Sequence, residues 1–408
     1  MTFAKVYAAF AAAYLLSYLY RTVNAVISPE LVSELSLQSS SLGLLTGAYF
    51  LAFAAMQIPV GILLDRYGPR RVEPVLLAVA ASGAALFALS HSLAGLTIGR
   101  AVIGAGVCAC LMAPLKAIAA WYPAERQASY SGWIMVAGGV GALAATVPIE
   151  LALRVVHWRV VFGGLSAATF IVAIVVFLRV PDIDKPTHAA GFKAQIDGLR
   201  SVVAHARFWW IAPLGAVAMG SFMAIQGLWA VPWMMEVQGL TRARAADYLL
   251  AMNAVMMVGY VGIGFFGRRL ARRGIHARHL FGAGFAINFV ALSLIVARMP
   301  ASLAWWLLYG LGATVNVLGF TALNEGFPRG IEGRTNTTLN LAMFIGSFVM
   351  QWGIGLIVDA ASSAFALDAA GGLRTAFAIA LGAYALALLW FVRGFRRYGG
   401  GVPAAAIA

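Results

Sequence analysis

The sequence predicts an all-α membrane protein in which twelve transmembrane helices form two pseudo-symmetric six-helix bundles. Three observations lead there. Of the 408 residues, 62% are hydrophobic and 11% charged, whereas a soluble domain has about a quarter of its residues charged. Apolar runs of about 20 residues, the length that crosses a ~30 Å hydrocarbon core, recur twelve times along the chain. Patterns in the first half also return in the second, as they do in repeat-built membrane proteins.

The first run, Val6 to Ile27, is long enough to span and lacks a small-residue cleavage site. It reads as span 1 and not as a cleavable signal peptide. Spans 1 to 6 lie at roughly 5–27, 42–64, 73–92, 94–120, 128–150 and 157–179, an N-terminal bundle within residues 1–180. Residues 181–207, polar and beginning at Pro181, form a linker. Spans 7 to 12, near 208–232, 245–266, 279–297, 302–325, 336–359 and 373–393, make a C-terminal bundle within 208–408 that ends in a short tail.

The net charge of +14 does not point to nucleic acid, because its placement sets membrane orientation instead. With the N-terminus inside, twenty Lys and Arg fall on cytoplasmic segments, and six fall on outer ones: Arg154, Arg159, Arg242, Arg244, Arg298 and Arg374. The expectation is a multi-pass protein of a bacterial inner membrane, both termini cytoplasmic, with lipid as its surroundings. Cys108 and Cys110 sit inside an apolar helix and offer no disulfide framework.

Gly61-x-x-x-Asp65-Arg66-x-Gly68, after span 2, recurs 206 residues later as Gly267-x-x-x-Ala271-Arg272-x-Gly274, after span 8. Gly104 and Gly106 of span 4 recur at Gly310 and Gly312 of span 10, and Pro29 and Pro123 have counterparts at Pro232 and Pro328. Gly61 and Gly68 would permit close helix approach and a tight turn. Asp65, at a cytoplasmic helix end beside Arg66, Arg70 and Arg71, can latch the bundles in one state through charge-assisted bonds. Ala271 replaces the acid in the second half, so such a latch is asymmetric. The plainer reading is that the basic residues only anchor the chain.

The stretch from Gly61 through Asp65, Arg66, Gly68, Arg70 and Arg71 resembles the loop 2–3 signature of the major facilitator superfamily. Arg100-x-x-x-Gly104-x-Gly106 resembles a second, weaker signature, although the glycines also suit close helix packing in lipid. Helix count, half-repeat and loop position extend the resemblance over the whole chain. It implies a monomeric secondary transporter working by alternating access on a small-molecule substrate, with a proton or cation for coupling. It implies no enzyme activity, no cofactor and no metal. Span 5, Gly132-Trp-Ile-Met-Val-Ala-Gly138-Gly139-Val-Gly141, lacks the signature of drug antiporters.

Tyr14, Tyr18, Arg21 and Asn24 are three or four residues apart and share one face of span 1. Arg21 stands ~24 Å along the helix from its cytoplasmic start. Tyr18-x-x-Arg21, followed by Pro29, resembles the helix 1 pattern of the organophosphate and anion:cation symporter branches, whose arginine meets an anionic substrate group. By that resemblance Arg21 takes the same role; alternatively it snorkels outward or pairs with Glu30 or Glu34. Arg100, ~9 Å into span 4 from outside, reaches a similar depth, and a charge there is costly unless it faces an aqueous cavity. Two guanidiniums at one level suit a carboxylate or phosphate.

Val107 and Cys108 stand where these branches often carry a protonatable Glu, and Gln226 and Trp229 stand where the organophosphate branch has a basic residue. The candidate pocket is therefore Tyr14, Tyr18, Arg21, Asn24, Arg100, Gln226, Trp229, Asn253 and Asn316, positive and without a mid-membrane carboxylate in the first half. Lys116 and Glu325, toward the cytoplasmic ends of spans 4 and 10, either pair as an inner gate or simply reach water. Asn324, Asn340 and Gln351 bind substrate or staple helices.

The expected function is transport of a small organic anion, a carboxylate or phosphate. Two other cargoes compete. Met219-x-x-x-Met223 and Met252-x-x-x-Met256 each put two thioethers on one helix face, which suits Cu(I) and resembles the paired Met motifs of a copper-importing branch; methionine is also ordinary filler. Nitrate or nitrite is a third candidate anion, against which span 2 lacks an arginine and span 5 the expected asparagine. A non-transporting membrane sensor is the remaining reading, and no soluble signalling domain is recognisable beside the bundles.

Overall fold

The computed structural model describes residues 3–182, 192–328 and 331–398, which contain helices and no strand. The linker stretch 183–191 with Lys185, the pair 329–330 with Arg329, and the tail beyond Tyr398 lie outside the described residues. Spans 1 to 3 are Phe3–Leu35, Ser39–Tyr67 and Pro69–Leu89. Span 4 is two helices, Leu93–Gly106 and Met112–Trp121; span 5 is Ala124–Ala144 with Val147–Leu153; span 6 is Trp158–Arg179. After a linker helix, Phe192–Ala204, come span 7 (Ala206–Val237) and span 8 (Arg242–Arg272). Span 9 is Ala277–Val296, span 10 is Ser302–Ala313 with Asn316–Asn324, span 11 is Glu332–Phe365 and span 12 is Ala369–Tyr398. Ten are long and apolar enough to cross a membrane on their own; span 1, at 33 residues, and the broken span 4 complete the twelve.

Local chemistry explains where the helices turn. Gly68 takes φ +75°, closing span 2, and Pro69 then opens span 3 at a position whose missing N–H costs no helical bond. Gly274 does the same after span 8, at φ +80°. Span 3 thus begins four residues before the predicted 73, and Glu73 lies inside the helix. Span 1 runs eight residues past the predicted Ile27, with Pro29 within it. At Gly61 a side chain would meet nothing within 4 Å, so the close approach expected there does not occur.

The repeated glycines of spans 4 and 10 do mediate close approach, and with matching neighbours. A side chain at Gly104 would collide with the Tyr49 backbone of span 2, and one at Gly106 with Ala80 of span 3. Correspondingly, Gly310 lies on Met252 of span 8 and Gly312 on Asn288 of span 9. Past these contacts both helices break, at 107–111 and at 314–315.

The two bundles meet along span 2 against span 11, span 1 against span 7, and span 5 against span 8. We call the end bearing Arg66, Arg70, Arg71 and Arg269 the basic end and the opposite one the far end. At the far end, Glu30 of span 1 forms an ion pair with Arg242 of span 8. Asp359 of span 11 accepts the backbone N–H groups that open span 2, Ser39 at 3.0 Å and Ser40 at 2.7 Å. Toward the basic end, Asn340 of span 11 donates to Gln57 of span 2 at 3.1 Å.

Candidate substrate site

Arg21 is 5% exposed and lies at the bundle interface. Its guanidinium carbon is 4.5 Å from the Tyr18 ring centre, 5.5 Å from that of Phe53 and 5.3 Å from that of Phe344, which span 11 contributes from the other bundle. Cation–π contacts reach ~2 kcal/mol or more each when desolvated, enough to offset the ~2.5–3.5 kcal/mol that an arginine costs at membrane depth. The charge therefore persists there without an acid. Neither acid proposed as its partner is available. Glu30 is held by Arg242, and Glu34 by Arg159 at 2.6 Å and the Trp158 indole N–H at 2.7 Å. The Arg21 Nε has no protein hydrogen-bond partner.

The polar face of span 1 stays together as spacing implied. Tyr14 and Tyr18 stack edge to face, 5.1 Å between centres, and the Tyr14 hydroxyl points to the Met135 sulfur at 3.8 Å. Gly138 makes room for both rings and Gly141 lets span 5 touch the span 1 backbone at Leu15. Asn24 donates to the Thr46 hydroxyl at 3.0 Å and keeps its carbonyl oxygen without a protein partner.

Arg100 does not stand beside Arg21 as a second ligand facing the same space. It is fully buried, donates to the Tyr20 carbonyl at 2.9 Å, and lies 5.1 Å from the Tyr49 ring centre. Tyr49 thus separates the two guanidiniums, its ring under Arg100 and its hydroxyl facing Arg21. Equal depth placed the two arginines on one level, but helix rotation turned Arg100 into its own bundle.

In the second bundle, Gln226 donates to the Asn253 carbonyl oxygen, and Asn253 in turn donates to the Ala142 carbonyl of span 5 at 3.3 Å. The Trp229 indole donates to the Gln351 carbonyl at 3.0 Å. These three staple spans 5, 7, 8 and 11 together. Gln226 and Trp229 lie in a π-helical turn, Ile225–Trp229, whose wider winding re-aims side chains. Asn316 donates to the Met219 sulfur at 3.1 Å, and Gln226 to that of Met256 at 3.5 Å. Two of the thioethers read as soft-metal ligands therefore already accept amide protons. No group of three His, Cys, Asp or Glu converges among the described residues.

Two participants, Tyr260 and Tyr49, escaped the sequence reading, and Gln351 was named there without a place in the candidate pocket. Tyr260 of span 8 lies near Tyr18 and Arg21 across the interface and is hydrogen-bonded to Asn316. It is four residues past Met256 and seven past Asn253, the same-face spacing used for span 1. Gln351, raised only as a staple or ligand, is fully buried with neither side-chain amide atom partnered. Tyr49 carried no signal, being one aromatic among many apolar neighbours.

Lys116 and Glu325 do not pair with each other. Lys116 binds Asp65 within the first bundle, and Glu325 accepts from Arg278 at 2.9 Å within the second. In each bundle an ion pair ties span 4 or span 10 to a neighbouring span at the basic end, with the sign on spans 4 and 10 reversed. Arg70 and Arg71 bind Asp182, at 3.3 and 3.6 Å, and not Asp65.

Two helical bundles enclosing a charged, membrane-depth site define a multi-pass membrane transporter. The family model for the Major Facilitator Superfamily matches residues 10–351, and the chain belongs to that family. The hexuronate transporter of Escherichia coli (strain K12) is 31% identical over 127 residues, 31% of this chain and 29% of that protein. The probable sulfoacetate transporter of Cupriavidus necator is 32% identical over 114 residues, 28% of this chain and 26% of that protein. These alignments span under a third of either relative's length. Among solved structures, a bacterial homologue of the human lysosomal transporter Spinster, inward-facing and unoccupied, shares the fold with a TM-score of 0.80, covering 98% of both chains at 19% identity.

Proposed function

We propose that this protein moves a small organic anion, bearing a carboxylate or phosphate, across a bacterial inner membrane by alternating access, with Arg21 as the anion ligand. The observation that carries the reading is Arg21 itself: a buried guanidinium shared between the bundles, ringed by Tyr18, Phe53 and Phe344, with no acidic side chain bound to it among the described residues. An anion gives that charge a partner that the protein does not. The two relatives support the same class, being named for hexuronate and sulfoacetate, small anions that each carry a carboxylate. Asn24, Asn316 and Gln351 hold unpartnered amide atoms suited to hydroxyl and carboxyl groups, Tyr14 and Tyr18 pack edge to face along the helix that carries Arg21, and Arg100 adds a second positive charge behind Tyr49.

In this reading the basic end faces the cytoplasm with both termini, the chain works as a monomer in lipid, and residues 1–180 and 208–408 move as units about the 181–207 linker. The test is uptake into proteoliposomes of labelled glucuronate, with phosphate, nitrate, glucose and Cu(I) as parallel probes. Saturable uptake of glucuronate or phosphate supports the assignment. Uptake or thermal stabilisation by glucose or Cu(I) alone overturns it.

A further inference from the structure

We propose that Arg207 and Arg278, at the basic end of the second bundle, hold the phosphate of an anionic membrane lipid. The site is separate from Arg21 and does not depend on which solute is transported.

Arg207 stands in the first turn of span 7 and Arg278 in the first turn of span 9. The start of a helix exposes N–H groups and the positive end of its dipole, which favours anions and disfavours cations. Helix stability therefore gives no reason for an arginine at either position. Both are also buried, Arg207 4% and Arg278 7% exposed, so water does little to solvate their charge.

The two guanidiniums converge on one turn. Arg278 donates to the Glu325 carboxylate at 2.9 Å, and Arg207 lies against the next residue, Gly326, where even a methyl group would collide with its guanidinium. Arg278 and Glu325 are accordingly the charges within range of Arg207. Arg207 otherwise donates to the Tyr398 carbonyl at 3.3 Å and lies 5.9 Å from the Trp210 ring centre. A guanidinium carries five N–H donors. Among the described residues each of these two has one protein acceptor, and the buried Nε of each has none.

Charge balance names the ligand. Two arginines on one acid leave a single positive charge, which one phosphodiester neutralises, and its two free oxygens accept paired bonds from a guanidinium. The surroundings favour a lipid as its source. Trp209, next to the Trp210 that lies by Arg207, is exposed, and so is Trp390, whose indole donates to the Trp209 carbonyl at 2.6 Å. Exposed indoles near the end of a membrane helix mark the headgroup level. Arg397, exposed and 5.6 Å from the Tyr398 ring centre, adds a positive charge at the rim. A basic pocket between membrane helices at that level suits an anionic headgroup, and a phosphate there bridges the starts of spans 7 and 9 across the end of span 10.

The test is native mass spectrometry of the full chain in detergent, titrated with phosphatidylglycerol, with phosphatidylcholine of the same acyl chains, or with inorganic phosphate. Wild type should take up one phosphatidylglycerol well before any phosphatidylcholine. Arg207→Gln should weaken that first binding about tenfold or more, the loss of one charge-assisted bond, and Arg207→Lys should weaken it less. Glu325→Gln frees Arg278 from its competing carboxylate and should tighten binding, which a purely structural ion pair would not do. Arg273→Gln removes an exposed charge outside the cluster and should change nothing. Equal uptake of the two lipids by wild type, or equal losses in Arg207→Gln and Arg273→Gln, overturns the proposal. Displacement of the lipid by inorganic phosphate overturns it too, in favour of a soluble anion. Should Arg207→Gln fold poorly by thermal unfolding, the lipid comparison in wild type and the direction of the Glu325→Gln effect decide.

Discussion

The carboxylate of Asp359, in span 11, accepts the backbone N–H of Ser40, in the first turn of span 2, at 2.7 Å. One acid of the second bundle thereby caps a helix of the first, where exposed N–H groups and the helix dipole both favour a negative charge. With the Glu30–Arg242 pair, this holds the far end closed.

Removing that cap should loosen the far end. Asp359→Ala should cost the closed arrangement ~1 kcal/mol, the usual worth of a helix cap, and so raise the population open at the far end about fivefold. A spin-label distance measured across the far end in nanodiscs reports the population. An unchanged distance distribution would show that the cap is incidental to gating.

Glu34 provides a pH-dependent staple within the first bundle. Span 1 is about 50 Å long at 1.5 Å per residue, so its last turn, which holds Glu34, stands beyond the ~30 Å hydrocarbon core. Partial burial works to raise the Glu34 carboxyl, but hydrogen bonds from Arg159 and Trp158 outweigh it and hold the group below the usual carboxylate range. A depressed folded-state value means stabilisation that is present above the unfolded value and lost as pH falls through the folded one. Glu34→Gln should therefore lower Tm at neutral pH and converge with wild type in acid below the carboxylate range. A constant Tm gap across that range would rule the mechanism out.

The pairing of Asp65 with Lys116 predicts a kinetic effect. The pair fixes the angle between span 2, which faces the other bundle through Gln57 and Asn340, and the basic half of span 4. Both side chains are partly exposed, so Asp65→Asn should cost only ~0.2–1 kcal/mol of stability. Exchange should slow while substrate affinity stays close to wild type. Wild-type turnover in proteoliposomes would remove Asp65 from the gating machinery.

The sequence and the structure agree where a periodicity or a conformational requirement is local. The Tyr14, Tyr18, Arg21 and Asn24 face follows from helical spacing, and Gly68 and Gly274 adopt the positive φ their tight turns need. Partnerships were less legible, because they depend on which helix ends meet and how each helix is rotated. Lys116 found Asp65 on a neighbouring helix and not Glu325, and Arg100 turned toward Tyr20. Glu73 went unnoticed because span 3 starts at Pro69 and not at 73, a four-residue shift that moves an acid from a loop edge into a sealed helix. The rings around Arg21 come from spans 1, 2 and 11, and no single stretch of sequence announces them.

The decisive prediction concerns Arg21. Three rings stabilise its charge, the Tyr49 hydroxyl faces it, and Nε is left without a protein hydrogen bond, so at least that donor is not consumed by the fold. Hydrogen bonds to charged groups contribute ~1.5–3 kcal/mol each, about 10- to 100-fold in affinity. Arg21→Lys keeps the charge but loses the planar two-donor fork, so glucuronate binding should weaken by at least one such bond. Arg21→Gln loses the charge as well and should bind weaker still, and both should lose uptake in parallel. Tyr18, Phe53 and Phe344 would pack against either replacement, so a folding defect is separable by thermal unfolding of the same samples. Should both variants retain wild-type affinity, Arg21 is a structural cation held by aromatic rings, and the unpartnered amides of Asn316 and Gln351 become the place where substrate recognition starts.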